Sequence, residues 1–458
     1  MGFSGNKIST FSDRQQIKLF NIAPVKEKDI EISFTGADIS SDGGLLLLKE
    51  CELHVGIIES ISKCLNDDRH PSYVQHSYNE IITQRVFQIA AGYEDANDCN
   101  SLRGDDIFKI CSGRLPTDGD LASQPTMSRF ENTVGNRELY RMAEVFLDQF
   151  IKSYSEEPEV IIFDADDTNC NTYGDQQLSI FNDYYGEYCL MPLHIYEGFT
   201  GKLVTTILKP GSRSKSVNVF AILSRIVDRI RAVWKNTTII IRGDGHFCCH
   251  QLMDWCTEQK NNVHFLTGLT GNSVLNKLAA VTIKTTQNHY EQTQKPLKRY
   301  HSFEYKAGSW SNSQRVIVKV EVSSKGTNIR YVVTDMRIVR TQQLYENGYC
   351  ARGAMELRIK EHKLYLKSDR MSCSKFKANQ MRLYLHSAAY VLMHTLQTQM
   401  LQGTQFATAT LKTIREKIIK VAAYVKEIKT KIKIELPTSC PQIAIFSKCF
   451  LLFNALRV

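Results

Sequence analysis

The stretch Val160-Ile-Ile-Phe-Asp-Ala-Asp-Asp-Thr168 reads as a buried strand that runs out into acids. A wholly apolar run of this length suits a strand covered on both faces. Side chains alternate along a strand, so Asp164 and Asp166 share one face. The pattern returns at Thr237-Thr-Ile-Ile-Ile-Arg-Gly-Asp244, with Asp244 at the carboxyl end. Between the two, Cys189–Tyr196 and Leu203–Leu208 read as a hairpin around a turn at Gly198–Lys202, stopped by Pro210-Gly211. Val217–Trp234 and Phe247–Lys260 have helical spacing, and Val263–Leu269 is a further strand. The order is strand, strand, strand, helix, strand, helix, strand. That is an α/β fold whose acids lie outside the carboxyl ends of its strands, where the sites of such sheets form.

Farther along, Tyr349–Lys363, YCARGAMELRIKEHK, reads as a helix. At about 100° per residue, Tyr349, Arg352, Glu356 and Lys363 fall within roughly 60° of one another. One face then carries a hydroxyl, a guanidinium, a carboxylate and an ammonium in line. Taken alone, such a face is ordinarily solvated. About 110 residues separate Asp244 from Glu356, far more than a strand-to-helix crossover uses. Within the excess, Arg315–Val322 and Ile329–Thr334 are β-type runs joined at Ser324-Lys-Gly-Thr327. Residues 271–340 are therefore expected to leave the core as a β-rich insertion and return, bringing Lys306, Trp310, Arg315 and Lys319 beside the acids.

The flanks are helical in pattern. Residues 1–30 look like an irregular arm, and Ser41 or Asp42 is placed to cap the helix that follows. Ser77–Ala91 repeats apolar residues every three or four positions and meets Gly92. Ser123-Gln-Pro-Thr-Met-Ser-Arg129 starts a short helix from which Gln124 and Arg129 could reach DNA, and Asn136–Tyr154 is a longer one. Ala378 opens a long helix with a wide apolar face, and 411–433 reads as a basic amphipathic helix. The expected divisions are a helical DNA-binding region 1–155, core segments 156–270 and 341–400 around the insertion 271–340, and a basic helical region 401–458.

A net charge of +9 and a pI near 8.8 suit a polyanionic partner without naming one. No apolar run reaches the ~20 residues that span a bilayer, and the opening residues carry no secretory pattern. Thirteen scattered cysteines without a CxxC pair fit reduced thiols in a cytosol. His246, Cys248, Cys249, His250 and Cys256 lack paired ligand spacing and read as a packed helix start rather than a zinc site.

Several stretches in this order resemble the insertion-sequence-1380 family of DDE transposases: GYEDANDCNSLR at 92–103, LASQPTMSRFEN at 121–132, DADDT at 164–168, RGDGHF at 242–247, YCARGAMELRIK at 349–360, SDRMSC at 368–373 and KFKANQMRLYLHSAAY at 375–390. The spacing of Tyr349, Arg352, Glu356 and Lys363 is similar to that family's Y-R-E-K signature. The resemblance implies a ribonuclease-H-like core in which Asp166, Asp244 and Glu356 converge on Mg²⁺ or Mn²⁺. Asp166 is selected because it stands two before the Thr, with Asp164 as the fallback. It also implies a cytoplasmic protein acting on the bacterial nucleoid and not on membranes. Its partners are double-stranded DNA, as terminal repeats and target, and a second copy of itself.

Hard oxygen ligands suit such ions, and two of them can activate one oxygen nucleophile and stabilise a leaving one. Tyr349, Arg352, Lys363 and Arg242 are candidates for DNA phosphate, the arginines as planar forks and the lysine as a point charge. Trp310 is a candidate for stacking on an unstacked base, although a buried Trp of a small β domain is the favoured reading. Two other readings share these residues: a catalytically silent DNA-binding derivative and a nuclease of the same fold that never joins strands.

Overall fold

The computed structural model describes residues 22–32, 35–211, 219–258 and 262–456. Its centre is an eight-stranded mixed sheet: β1 (Val160–Asp167), β2 (Leu193–Glu197), β3 (Leu203–Ile207), β4 (Thr238–Gly243), β5 (Val263–Leu269), β6 (Leu297–Tyr305), β7 (Gln314–Ser323) and β8 (Gly326–Thr334). The spatial order is β6-β7-β8-β5-β4-β1-β2-β3. β1, β4 and β5 are parallel, with Ile239 level with both Ile161 and Val263. β2 and β3 follow β1 antiparallel. Ile161, Phe163, Ile239 and Ile241 are buried in one cluster with Leu223, Ile226 and Ile230 of the helix Val219–Val233 and Leu252 and Met253 of the helix His250–Glu258. On the opposite face Ile162, Asp164 and Arg242 are buried as well, so the strands are covered on both sides as the apolar runs call for.

The expected hairpin is split at Met191-Pro192. Glu187–Leu190 joins Cys170–Asn171 and Ile180–Asn182 in a small three-stranded sheet, and Leu193–Glu197 alone pairs with β1. Pro192 has no N–H to give a ladder, so the strand changes partners there.

Residues 271–340 are β-rich but do not leave the core. After the helices Ser273–Leu278 and Ala280–Thr293, β6, β7 and β8 extend the central sheet itself. β8 pairs antiparallel with β5 from Thr334 against Leu266 to Tyr331 against Leu269. β5 would otherwise expose an unpaired edge. Val316, Val318, Val320 and Val333 carry the buried layer onward.

The stretch 411–433 is helical only through Ile419; Ala423–Ile428 and Lys431–Glu435 then form a hairpin against Ile39–Ser40. Lys431-Ile-Lys-Ile-Glu435 alternates with period two, which belongs to a half-exposed strand. Within the expected arm, Ile22–Val25 and Lys28–Ile30 pair as a hairpin, and residues 1–21 lie outside the described ones.

Gly44, not Ser41 or Asp42, caps the helix Leu45–Val55. A Cβ on Gly44 would lie 1.9 Å from the Ile418 carbonyl oxygen, so only glycine permits that approach. Asp42 is buried instead, 2.7 Å from Lys420 Nζ, and accepts from the Tyr93 hydroxyl at 2.9 Å. The helix Tyr78–Ala91 begins as its sequence suggests: Ser77 Oγ accepts from the Glu80 N–H, and Gly92 ends it at φ 93°.

The helices before residue 152 share one hydrophobic core with residues 355–453, so the packing does not follow the divisions drawn from the sequence. A buried ion network ties that core together. Glu131 lies 3.4 Å from both Arg85 and Arg382, and Arg85 donates to the carbonyls of Tyr93, Glu94 and Asp95. Segments 92–103, 121–132 and 375–390 thus meet away from the acids, and their shared pattern has a structural reason.

Candidate active site

Parallel register sets Arg242 of β4 directly beside Asp164 of β1. Two residues further along each chain stand Asp244 and Asp166. Arg242 donates from Nε and Nη2 to the two oxygens of Asp164 at 2.5 and 2.6 Å, and from Nη1 to the Gly348 carbonyl. Both side chains are sealed, Asp164 being 1% exposed. This corrects two expectations. Asp164 is a counter-ion within the core and not a ligand-ready carboxylate, and Arg242 has no face left for DNA.

The second pair opens on a cavity of about 770 Å³, whose lining includes Asp166, Asp167, Asp244, Lys209, His246, Tyr184, Tyr185 and Glu356. The three expected acids therefore face one space. Burial pushes the Asp166 carboxyl up to about 6; the Arg352 guanidinium opposes this and the negative charge of Asp244 adds to it. Asp244 accepts from the His246 backbone N–H at 2.8 Å and lies 2.9 Å from that residue's ring nitrogen. Asp167 is held by Lys209 at 2.6 Å.

The stretch 349–363 is helical throughout but not uniform. Gly353–Lys360 is α, preceded by wide turns over Leu344–Tyr349 and a tight one over Cys350–Arg352, and followed by wide turns over Glu361–Tyr365. Arg352 Nη1 donates to Asp166 at 2.9 Å, and Nη2 lies 3.8 Å from Glu356, which is 68% exposed. Arg352 thus stands between two of the acids. Among the described residues no three His, Cys, Asp or Glu side chains are grouped closely enough to hold a metal ion, the cysteine-rich 246–256 segment included. Convergence is to a common cavity, not to ligand distance.

Tyr349 is half-buried against Tyr345, and burial raises its hydroxyl, with the Asp244 charge adding to the rise. Lys363 donates to Thr168 Oγ1 at 3.2 Å and to the Asn169 carbonyl at 2.5 Å, which moors the helix to the end of β1.

Trp310 is misplaced for its expected role. It lies in the β6–β7 connection, at the amino end of the parallel strands, whereas the acids lie at the carboxyl end. Its ring is buried against Tyr305, and Arg315 is spent on the carbonyls of Met336 and Val339. Lys319 is paired with Glu321. Gln124 and Arg129 sit on the helix Gln124–Glu131; Arg129 is exposed and donates to Thr126, while the Gln124 backbone N–H donates to Asn100.

The family comparison covers these strands and the helix together: the model described as transposase DDE domain group 1 matches residues 22–458. The chain belongs to that family. No curated protein matches it. A piggyBac transposase, solved as a synaptic complex with hairpin DNA, is similar at 11% identity over 83% of this chain and 80% of that one, with a TM-score of 0.40. No helix among the transposase's described residues is long and apolar enough to cross a membrane.

Cavity residues that the sequence reading passed over are Lys209, Tyr184 and Tyr185, and His246 was read only as part of a packed helix start. Lys209 follows β3 in LKPG, and a basic residue at a strand end above three acids is the signal that was there to use. Nothing in the linear order of Tyr184 and Tyr185 points to Asp166.

Proposed function

We propose that this transposase is the enzyme of a bacterial insertion sequence of the insertion-sequence-1380 family. It binds the terminal inverted repeats, cleaves DNA at the element ends and joins those ends to target DNA. The observation that carries the reading is the shared cavity: Asp166 and Asp244 on adjacent parallel strands, with Glu356 entering from a helix. The strand order β3-β2-β1-β4-β5, with β1, β4 and β5 parallel, supports a ribonuclease-H-like core.

The donor set fits Mg²⁺ or Mn²⁺, because all three groups are hard carboxylate oxygens and the charge of Asp244 adds to the rise of the Asp166 carboxyl. When bound, two divalent ions activate the attacking oxygen and stabilise the leaving one. Asp166, Asp244 and Glu356 would hold them, once Arg352 has left Asp166. A DNA phosphate is the natural competitor for that guanidinium, as two of its oxygens can accept from the planar fork together, where Asp166 accepts one hydrogen bond. Lys363 keeps the Glu356 helix against β1, and Tyr349 fixes the helix start beside Asp244. Arg129 and Gln124 are proposed as end-DNA contacts, a second copy as the partner on DNA, and the bacterial nucleoid as the place of action.

Duplex oligonucleotides ending in the element's own terminal repeat test this in Mg²⁺. Cleavage at the repeat boundary followed by joining to a second duplex is expected. Cleavage without joining would mean a nuclease, and binding without either would mean a silent derivative.

A further inference from the structure

The small sheet formed by Cys170–Asn171, Ile180–Asn182 and Glu187–Leu190 leaves β1 directly beyond Asp167. It is firmly held. The Gln177 N–H donates to the Ser374 carbonyl at 2.8 Å, Gln177 Oε1 accepts from the Phe376 N–H at 3.2 Å, and Asn182 Nδ2 donates to the Gly211 carbonyl at 2.8 Å. Yet this fixed element presents aromatic rings to solvent: Tyr173 is 93%, Tyr184 74% and Tyr188 60% exposed, with Phe181 beside them. Phe181 and Tyr188 are cross-strand partners with ring centroids 5.4 Å apart. Tyr184 touches Tyr185 edge to face at 4.9 Å, and both line the cavity of Asp166, Asp244 and Glu356.

We propose that this sheet is a stacking platform for unpaired bases of the DNA strand that flanks the phosphate in the cavity. The inference rests on the transposase reading of that cavity and extends it. Where the strand flanking that phosphate is unpaired, its bases have lost the stacking they had in a duplex. Aromatic rings recover that loss for any base, because every base has a π-face. Charge sorts the contacts. Asp183 and Glu187 are exposed at the turn and repel phosphate there, whereas Lys375 and Lys377 are exposed beside the Gln177 anchor and suit the backbone. Rings toward bases and lysines toward phosphates are the arrangement of a single-strand track that continues the catalytic cavity. An apolar protein partner would not need the lysines.

The test uses the full-length protein without divalent metal and two probes: a blunt duplex, and the same duplex with a short single-stranded overhang containing 2-aminopurine. Wild type should bind the overhang probe more tightly than the blunt one and quench its fluorescence. F181A/Y188A should lose about tenfold in overhang affinity and most of the quenching while blunt-duplex affinity stays unchanged. Y188W should retain both, which a merely structural role for Tyr188 would not require. Equal overhang affinity in wild type and a folded F181A/Y188A, checked by circular dichroism, would overturn the platform while leaving the transposase reading intact. Wild type that binds neither probe would overturn both. Concentration-dependent self-association in sedimentation that F181A/Y188A abolishes, with DNA binding unchanged, would assign the rings to a second copy and overturn the proposal.

Discussion

Two layers of the same pair of strands differ by one step of two residues. In the lower layer Asp164 meets Arg242, opposite charges sealed from water; in the upper, Asp166 meets Asp244, like charges open to a cavity. The lower pair is satisfied without anything else. The upper pair is not, since burial and the charge of Asp244 both disfavour ionised Asp166, with Arg352 as partial relief. A carboxylate at the end of a buried strand is thus structural or chemical according to what its lateral neighbour carries, not according to its place in the motif.

The sharpest way to break this distinction is to neutralise the upper layer. Asp166→Asn, Asp244→Asn and Glu356→Gln should each lower DNA cleavage by at least about a thousandfold, the scale of losing a ligand whose metal supplies several kcal/mol of transition-state stabilisation. Folding and binding to end DNA should survive, as read by thermal melting and filter binding. A Glu356→Gln protein that still cleaves in Mg²⁺ would remove that residue from the site.

The lower layer should respond in the opposite sense. Asp164→Ala leaves a buried guanidinium uncompensated and should cost about 3–5 kcal/mol of stability in urea titration. Asp164→Leu combined with Arg242→Met should recover most of it, because a buried ion pair replaced by apolar groups of similar volume is often neutral. If Asp164→Ala instead folds normally and loses only cleavage, the two layers have been assigned the wrong way round.

How much of this was legible follows the same division. The strands β1, β4 and β5 and the acids at the ends of β1 and β4 were readable, because apolar runs encode two-sided burial and acids mark its limit. Residue order cannot show register, so the Asp164–Arg242 pairing was hidden, although both residues stood out as charged. For Trp310, sequence gives the β character of 271–340 but not the sheet edge it joins, so burial was readable while its distance from the acids was not. The 423–435 hairpin was misjudged because its lysines invite a helical reading, although their period is two. The exposed rings of 173–188 gave no signal, since exposure is a tertiary property.

A third prediction concerns two buried histidines outside the acid cavity. His194, level with Asp166 on β2, and His394, donating toward the Thr200 carbonyl at 3.1 Å, are buried, and burial lowers each ring to about 3. Both are neutral when folded. The unfolded chain takes up these protons near pH 6.5, so stability is full above that pH and falls as pH drops toward 3. Each ring contributes up to about 1.4 kcal/mol per pH unit in that window. Urea midpoints measured from pH 7.5 to 5 should fall with pH, and His194→Gln should flatten the slope. An unchanged slope would mean that His194 gains a partner as it protonates.

The smallest expected effect tests Arg352, which joins Asp166 of the upper layer to the Glu356 helix. Its guanidinium lies 2.9 Å from Asp166 and 3.8 Å from Glu356, where it offsets the very charges a divalent ion would use. Without DNA, metal and Arg352 compete for Asp166; with DNA, phosphate draws Arg352 away and the two ligands help each other. Arg352→Ala should therefore bind Mn²⁺ more tightly than wild type in the absence of DNA, by roughly three- to tenfold, the scale of a half-buried ion pair. It should also lose the increase in Mn²⁺ affinity that end DNA gives wild type. Arg352→Lys should fall between, because an ammonium can pair with Asp166 but cannot present the planar fork to phosphate. Isothermal titration with Mn²⁺, with and without DNA, reads both quantities without any turnover. Were Arg352→Ala to bind Mn²⁺ more weakly than wild type, the guanidinium would be organising the acids rather than competing for them, and the upper layer would be pre-set for metal instead of opened by substrate.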